Sequence, residues 1–91
     1  MTLITMENVP ESLRGECTRF LLEVKAGVFL GTVSAAVRNL LWEKVKENAR
    51  SGAAILAYSY PNEQGFVLEM HGDPRRKVVD IDGLSLIQTR Q

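Results

Sequence analysis

The amino-acid sequence predicts an α+β fold in which one β-sheet carries two helices on one face. The pattern of apolar residues indicates, in chain order, a strand, a helix, a strand, a second helix, a β-hairpin and a terminal strand. The chain has 91 residues, of which 45% are hydrophobic, and this suits one small domain rather than two. A single sheet with both helices on one side is the simplest arrangement of these elements.

The first strand and the first helix are predicted between residues 2 and 24. Residues 2–6 form a short apolar run, and Pro10 fits the first turn of a helix because its missing N–H group is not needed there. From Leu13 to Val24, apolar residues recur at helical spacing on one face. Gly15 is unusual inside a helix, where it costs about 1 kcal/mol relative to alanine. Its missing side chain would let another molecule approach the backbone closely.

The second strand is predicted over residues 27–31, which are bounded by glycines. Thr32 or Ser34 can cap the helix that follows, because their hydroxyl groups accept hydrogen bonds from the first free N–H groups. An apolar stripe from Val33 to Val45 defines the buried face of this helix. Gly52 is well placed to end it.

The remaining strands are predicted from one continuous and one alternating apolar pattern. Residues 53–58 are almost entirely apolar, as in a central strand, and residues 66–71 alternate, as in a strand with one buried face. The turn at residues 60–65 joins them into a hairpin. After a break at residues 72–74, residues 84–87 form a last short strand.

The second face of this sheet has no remaining segment to cover it. A chain of this length buries only about two-thirds of its unfolded surface, so a lone monomer would be marginally stable. A second copy of the chain is the simplest cover. The sequence therefore predicts a symmetric homodimer that packs sheet against sheet.

Composition excludes several classes of protein. The formal net charge is +0, from 11 basic and 11 acidic residues, which argues against nonspecific coating of nucleic acid but permits a local basic patch. The single Cys17 excludes a disulfide framework and suits the cytoplasm, and the single His71 excludes a multi-histidine metal site. No apolar run approaches the roughly twenty residues of a membrane span, and no signal peptide is expected.

Short motifs along nearly the whole chain are specific in residue type and in spacing. They are Met6-Glu7-Asn8-Val9-Pro10, Leu13-Arg14-Gly15, Phe20-Leu21-Leu22-Glu23-Val24-Lys25-Ala26-Gly27-Val28-Phe29, Val33-Ser34, Leu41-Trp42-Glu43, Gly65-Phe66, Gly72, Arg75-Arg76 and Val79-Asp80-Ile81-Asp82-Gly83-Leu84. Over residues 3–86, the chain resembles the CRISPR-associated protein 2 family of the type I-E subtype. Members of that family form the small subunit of the CRISPR spacer-acquisition complex.

The resemblance implies a single ferredoxin-like domain over residues 1–91, with one mainly antiparallel sheet, in a homodimer packed through the sheets. The family's dimer sits between two dimers of the integrase, CRISPR-associated protein 1, and holds the prespacer duplex DNA. Residues 78–91 would form a C-terminal segment whose terminal strand contacts the integrase or the second protomer. A ferredoxin-like fold needs a strand pair between its helices, and since only residues 26–33 are available, we expect one bent or abbreviated strand there.

Glu7 is the candidate catalytic and metal-binding residue. The family is commonly described as a magnesium-dependent endoribonuclease or endodeoxyribonuclease, and most members carry an aspartate at this place. Two carboxylates related by the dimer axis could hold one Mg²⁺ and activate a water molecule. The alternative is a structural carboxylate, in which case no cofactor is expected. The sequence offers no second acidic residue nearby.

Basic residues are the candidate DNA-binding group. The resemblance places Arg14 against the DNA backbone, and Arg75 and Arg76 against phosphates. Together with Lys77, the last two form a run that we interpret as a rigid basic tip, which two-fold symmetry would double. Arginine grips phosphate with two parallel hydrogen bonds. The alternative for each residue is an ordinary solvated charge.

Acidic and apolar residues near the C-terminus are the candidate partner-binding group. The resemblance brings Glu63 and Asp82 against basic residues of the integrase, and the terminal strand with Leu84 and Leu86 would add to that contact. The sequence thus favours a non-catalytic scaffold that bridges integrase dimers and binds the prespacer. A metal-dependent nuclease that uses Glu7 is the main alternative, and a toxin-like ribonuclease rests only on fold analogy.

Overall fold

The computed structural model describes residues 1–72 in full and residues 76–81 and 84–89 as backbone strands. The elements in chain order are β1 (Thr2–Glu7), α1 (Glu11–Cys17), β2 (Leu22–Lys25), β3 (Val28–Gly31), α2 (Ala35–Asn48), β4 (Ala53–Ser59), β5 (Phe66–His71), β6 (Arg76–Ile81) and β7 (Leu84–Thr89).

Five strands form one antiparallel sheet in the order β2-β3-β1-β4-β5. The first four strands and the two helices have the connectivity of a ferredoxin-like fold, because each helix links two strands that have another strand between them. β5 extends this sheet as a hairpin with β4. The strands β6 and β7 pair with each other in a separate two-stranded sheet. The predicted α+β fold is confirmed.

The core lies between one face of the sheet and both helices. Ile4 at the centre of β1 is fully buried, and its cross-strand partners are Phe29 in β3 and Leu56 in β4. The helices contribute Leu13 and Cys17 from α1, and Leu41, Trp42 and Val45 from α2. As predicted for the cap, Ser34 Oγ accepts a hydrogen bond of 3.2 Å from the N–H group of Val37. Neither helix combines the length and the apolar character that crossing a membrane requires.

The opposite face of the sheet is also apolar. Leu3 faces Leu30 and Ala57 across the strands, and Ile55 faces Met70. Towards the edges, Phe66 and Leu22 are 38% and 69% exposed. In the fully described part of the chain, both helices lie on the other side of the sheet, so they leave this open face uncovered.

The prediction that the first helix runs on to Val24 is wrong, and so is the single strand expected between the helices. α1 ends at Cys17, and Leu22–Lys25 is an edge strand that forms a hairpin with β3. The turn of this hairpin contains Gly27, whose φ of +76° favours glycine. The register shifts between Glu23 and Lys25, which is a β-bulge. The apolar spacing misleads because Val24 is exposed rather than buried.

The C-terminal region also differs from its prediction. The sequence pattern predicts no strand between residues 72 and 84, yet Arg76–Ile81 forms β6, and β7 continues to Thr89. Arg76 and Lys77 therefore begin a strand rather than form a tip. The β-branched residues that follow them favour a strand, and the register pairs Val79 with Leu86. Arg75 and Asp82 lie outside the described residues.

Candidate functional site

One end of the sheet brings together the end of β1, the start of β4 and the end of β5. Glu7 pairs with Ala53, and Ala54 pairs with His71. Gly52 lies against the carbonyl group of Asn8, and a Cβ atom on Gly72 would lie only 2.5 Å from the carbonyl oxygen of Gly52. Close backbone packing therefore fixes where the chain leaves β1 and β5.

An open cavity of about 340 Å³ lies at this same end, between β1, α1 and the turn that joins β2 to β3. Its lining residues are Met6, Asn8, Val9, Arg14, Ala26 and Gly27. The turn is fixed against β1, because the N–H group of Met6 donates a hydrogen bond of 2.7 Å to the carbonyl oxygen of Gly27. A cation from α1 and an amide from the end of β1 thus share one concave surface.

Glu23 holds the Arg14 side chain at this cavity. Its Oε2 atom accepts hydrogen bonds from Nη2 of Arg14 at 2.8 Å and from Nε at 3.1 Å. The same oxygen accepts a third hydrogen bond, of 3.0 Å, from the N–H group of Gly27. The Gly27 N–H group and then the Arg14 guanidinium lower the pKa of the Glu23 carboxyl. Glu23 is therefore ionised at neutral pH.

Gly15 leaves the surface beside Arg14 open. Apart from its chain neighbours and the backbone of α1 itself, a Cβ atom at this position would have no described atom within 4 Å. The glycine is therefore not required by packing within the described part of the chain. This open surface is compatible with a partner that approaches the backbone of α1 from outside.

Glu7 lies apart from this cavity. Since successive strand residues alternate between the two faces of a sheet, Glu7 belongs to the open face and Met6 to the helix face. Glu7 is exposed, and the Asn8 side chain instead donates a hydrogen bond of 3.5 Å to Ser51 Oγ. Among the described residues, no three His, Cys, Asp or Glu side chains lie close enough together to hold a metal ion. One Glu7 carboxylate fits Mg²⁺ poorly, so a site would need the second Glu7 of a dimer.

The basic C-terminal residues follow from the same end of the sheet. Gly72 comes directly after β5, and Arg76 is four residues further on. Chain geometry therefore keeps the Cα atom of Arg76 within about 14 Å of the Cα atom of Gly72. This places the start of β6 within reach of the end that carries Arg14.

Within the part of the chain that the structure describes, the candidate partner-binding residues do not form one cluster. Glu63 is exposed in the turn between β4 and β5, which is closed by a hydrogen bond from Tyr60 N to Gly65 O. This turn is at the opposite end of the sheet, about 20 Å along β4 from the Asn8 end. Leu84 and Leu86 lie in β7.

An aromatic pair also lies at the Glu63 end. The guanidinium carbon of Arg38 is 3.7 Å from the centre of the Tyr58 ring, and the Tyr60 ring stands edge-on to that ring at 6.3 Å. One face of Tyr58 is therefore already covered.

Glu23 is the site residue that the sequence analysis missed. It lies nine positions after Arg14, and the apolar spacing had assigned both residues to one helix. The missed signal is the alternation of Leu22-Glu23-Val24-Lys25 directly before a glycine turn, which is typical of a hairpin.

A family model described as CRISPR-associated protein (Cas_Cas2CT1978) matches residues 1–86 of the chain. The match includes the five-stranded sheet and both helices, and it extends through β6 into β7.

Proposed function

The chain belongs to the Cas2-type family of CRISPR-associated proteins, and from this we propose that it is a type I-E adaptation scaffold. In this role a homodimer in the cytoplasm bridges dimers of the integrase, CRISPR-associated protein 1, and binds the backbone of the prespacer duplex. The observation that carries the proposal is the Arg14 guanidinium at the open cavity, beside the uncovered surface of Gly15.

Arg14 is suited to a phosphate group. Two of its nitrogens bind Glu23, and a guanidinium has five N–H groups in all, so the remaining donors have no partner within residues 1–72 and can bind a ligand. Contacts of this kind position DNA without reading its sequence, because phosphate is common to every nucleotide. Arg75, Arg76 and Lys77 would add further contacts, since the chain reaches them from the same end of the sheet.

The open face of the sheet supports the proposed dimer. It carries Leu3 and Ile55 on the inner strands β1 and β4, and Leu68, Met70 and the exposed Phe66 on the outer strand β5. Exposed apolar surface of this kind marks an interaction site in a protein that functions in water. A second copy, packed face to face, would cover it and would place the DNA-binding end twice in the assembly.

The proposed integrase contacts lie on other parts of the chain. Glu63 is at the far end of the sheet, and Leu84 and Leu86 lie in the separate β6–β7 sheet. Together with Asp82, these residues form the proposed integrase-binding group. Within that hairpin, Arg76 pairs with Thr89 and Leu84 pairs with Ile81, so the basic residues and Leu84 lie at opposite ends of it. This supports a bridging role, because DNA and the integrase could then contact different ends of the hairpin.

The test is the prespacer affinity of the purified integrase complex at several salt concentrations. A triple variant with Arg14, Arg75 and Arg76 changed to Ala should bind more weakly, by similar factors for unrelated DNA sequences. The log–log dependence on salt should flatten by about 0.9 for each phosphate that is no longer neutralised. Lys46→Ala, which removes one charge from α2, is the matched control. Unchanged affinity and slope in the triple variant would contradict the proposal.

A nuclease is the second candidate, and the position of Glu7 favours it. Glu7 is exposed at the end of the open face, so a face-to-face dimer could bring two Glu7 carboxylates together. A bound Mg²⁺ would supply a Lewis acid and an activated water molecule. The test is cleavage of RNA and duplex DNA with Mg²⁺ by the purified dimer, and cleavage that is lost in Glu7→Ala would establish this candidate.

A further inference from the structure

We propose that Glu23 is a positioning residue for Arg14, and that its charge also limits how strongly Arg14 attracts DNA. Glu23 would hold the guanidinium at the edge of the cavity and partly neutralise it. This inference rests on the proposed function, in which Arg14 binds a phosphate group of the prespacer.

A single oxygen atom of Glu23 accepts all of the hydrogen bonds that orient the Arg14 side chain. Oε2 of Glu23 accepts from Nε and Nη2 of Arg14 and from the N–H group of Gly27. Among the described residues, Oε1 of Glu23 and Nη1 of Arg14 have no hydrogen-bond partner. The donors of Nη1 therefore remain available, while the orientation of the guanidinium is set through its other edge.

The carboxylate is itself fixed to the sheet. Gly27 donates to Glu23 through its N–H group and accepts from Met6 of β1 through its carbonyl oxygen, at 2.7 Å. A Cβ atom on Gly27 would collide with the Met6 carbonyl oxygen, so the turn packs tightly against β1. Arg14 on the short helix α1 is thereby connected to the central strand. A flexible side chain loses less freedom on binding when it is already held in this way.

The negative charge of Glu23 opposes DNA binding, whereas its hydrogen bonds to Arg14 favour it. An ionised carboxylate 2.8 Å from Nη2 offsets the positive charge that a phosphate would meet. Glu23→Gln separates the two effects. The amide oxygen can take the place of Oε2 and keep all three hydrogen bonds, and the amide nitrogen takes the place of Oε1. Glu23→Ala removes the charge and the hydrogen bonds together.

The experiment compares wild type, Glu23→Gln, Glu23→Ala and Arg14→Ala in the assembled integrase complex. The probe is a prespacer duplex at several salt concentrations, and the thermal unfolding of each variant is measured alongside. Glu23→Gln should bind more tightly than wild type, by on the order of threefold per site at low salt, with a steeper salt dependence. Glu23→Ala should bind more weakly than Glu23→Gln, because its arginine is no longer oriented.

The outcomes separate this inference from the proposed function. If Arg14→Ala weakens binding and both Glu23 variants behave as wild type, Arg14 binds DNA but Glu23 does not position it. Equal affinity in the two Glu23 variants would overturn the positioning role, and a Glu23→Gln variant no tighter than wild type would overturn the charge effect. If Arg14→Ala itself binds normally, the proposed DNA contact fails together with this inference.

Discussion

Replacing Gly15 with alanine is expected to stabilise the folded protein and to weaken its binding to prespacer DNA. A Cβ atom there meets open space within the described chain, and alanine is a better helix former than glycine. Gly15→Ala should therefore raise the free energy of unfolding by about 0.5–1 kcal/mol. The same methyl group should weaken prespacer binding if the DNA backbone passes close to α1.

Two measurements check this prediction, namely chemical denaturation and prespacer affinity. Ser12→Ala, at another exposed position of α1, is the control, and it should leave affinity unchanged. A Gly15→Ala variant that is more stable and binds DNA as well as wild type would show that nothing approaches α1 here.

Cys17 should be unreactive while the protein is folded. Burial, and then the charges of Glu16 and Glu23, raise the pKa of its thiol to about 11 from an ordinary value of 9.0. The reactive thiolate is therefore scarce at pH 8, and alkylation should occur only after denaturant is added.

The same shift makes folding depend on pH. Between about pH 9 and 11 the unfolded thiol has lost its proton and the folded one has kept it. The Cys17 contribution to the free energy of unfolding should therefore be complete below pH 9 and fall as pH rises through this window. The difference between wild type and Cys17→Ala isolates this contribution, and a difference that is constant with pH would contradict it.

Glu7→Ala should leave spacer acquisition largely intact. A scaffold needs shape and charge at its binding surfaces, and Glu7 is exposed on the sheet face away from the Arg14 cavity. The measurement is array expansion in cells, with dimer formation and integrase binding as controls for folding. Loss of acquisition in a variant that passes both controls would favour the nuclease candidate.

At the level of elements, the sequence correctly predicts the helix and strands whose apolar pattern fits one type of secondary structure and no other. The long apolar stripe and Ser34 cap predict α2, and the continuous run of β4 next to the alternation of β5 predicts their hairpin. The sequence does not predict β2, because Leu21 and Val24 are spaced as on a helix. The strand forms instead because this segment pairs with β3 through the Gly27 turn. The hydrogen bonds that orient Arg14 depend on that hairpin, so the charged pair at the site could not be predicted either.

The β6–β7 hairpin should be separable from the main sheet. Among the strands that the structure describes, β6 and β7 pair with each other, and the last strand of the five-stranded sheet ends at His71. The informative truncation ends at Gly72, directly after β5, because it removes both strands of the hairpin. That variant should keep the far-ultraviolet spectrum of the sheet and helices but lose co-purification with the integrase.

Two substitutions in the untruncated chain test the same interface without removing a segment. Leu84→Asp and Leu86→Asp should weaken integrase binding without removing any strand. If the truncated and the substituted chains still co-purify with the integrase, the hairpin is not part of that interface.

At the level of the whole molecule, the protein should be a dimer that depends on the open sheet face. Light scattering at micromolar concentration should give twice the monomer mass of 10.1 kDa. Leu68→Lys would place a charge in the apolar face and should shift the protein towards monomer. Leu40→Lys is the matched control, because Leu40 is 52% exposed on α2 and away from that face. A wild-type monomer would remove the symmetric arrangement from the proposed function.

The β-bulge between Glu23 and Lys25 protects the edge of the sheet against aggregation. β2 is an outer strand of the sheet, and a regular outer strand with exposed leucine and valine invites other copies to add on and grow into fibres. A bulge and a lysine at such an edge oppose that growth. The same irregularity carries the carboxylate that orients Arg14. A substitution that removed the bulge would therefore lower the solubility of the protein, and it would also remove the carboxylate from the position in which it orients Arg14.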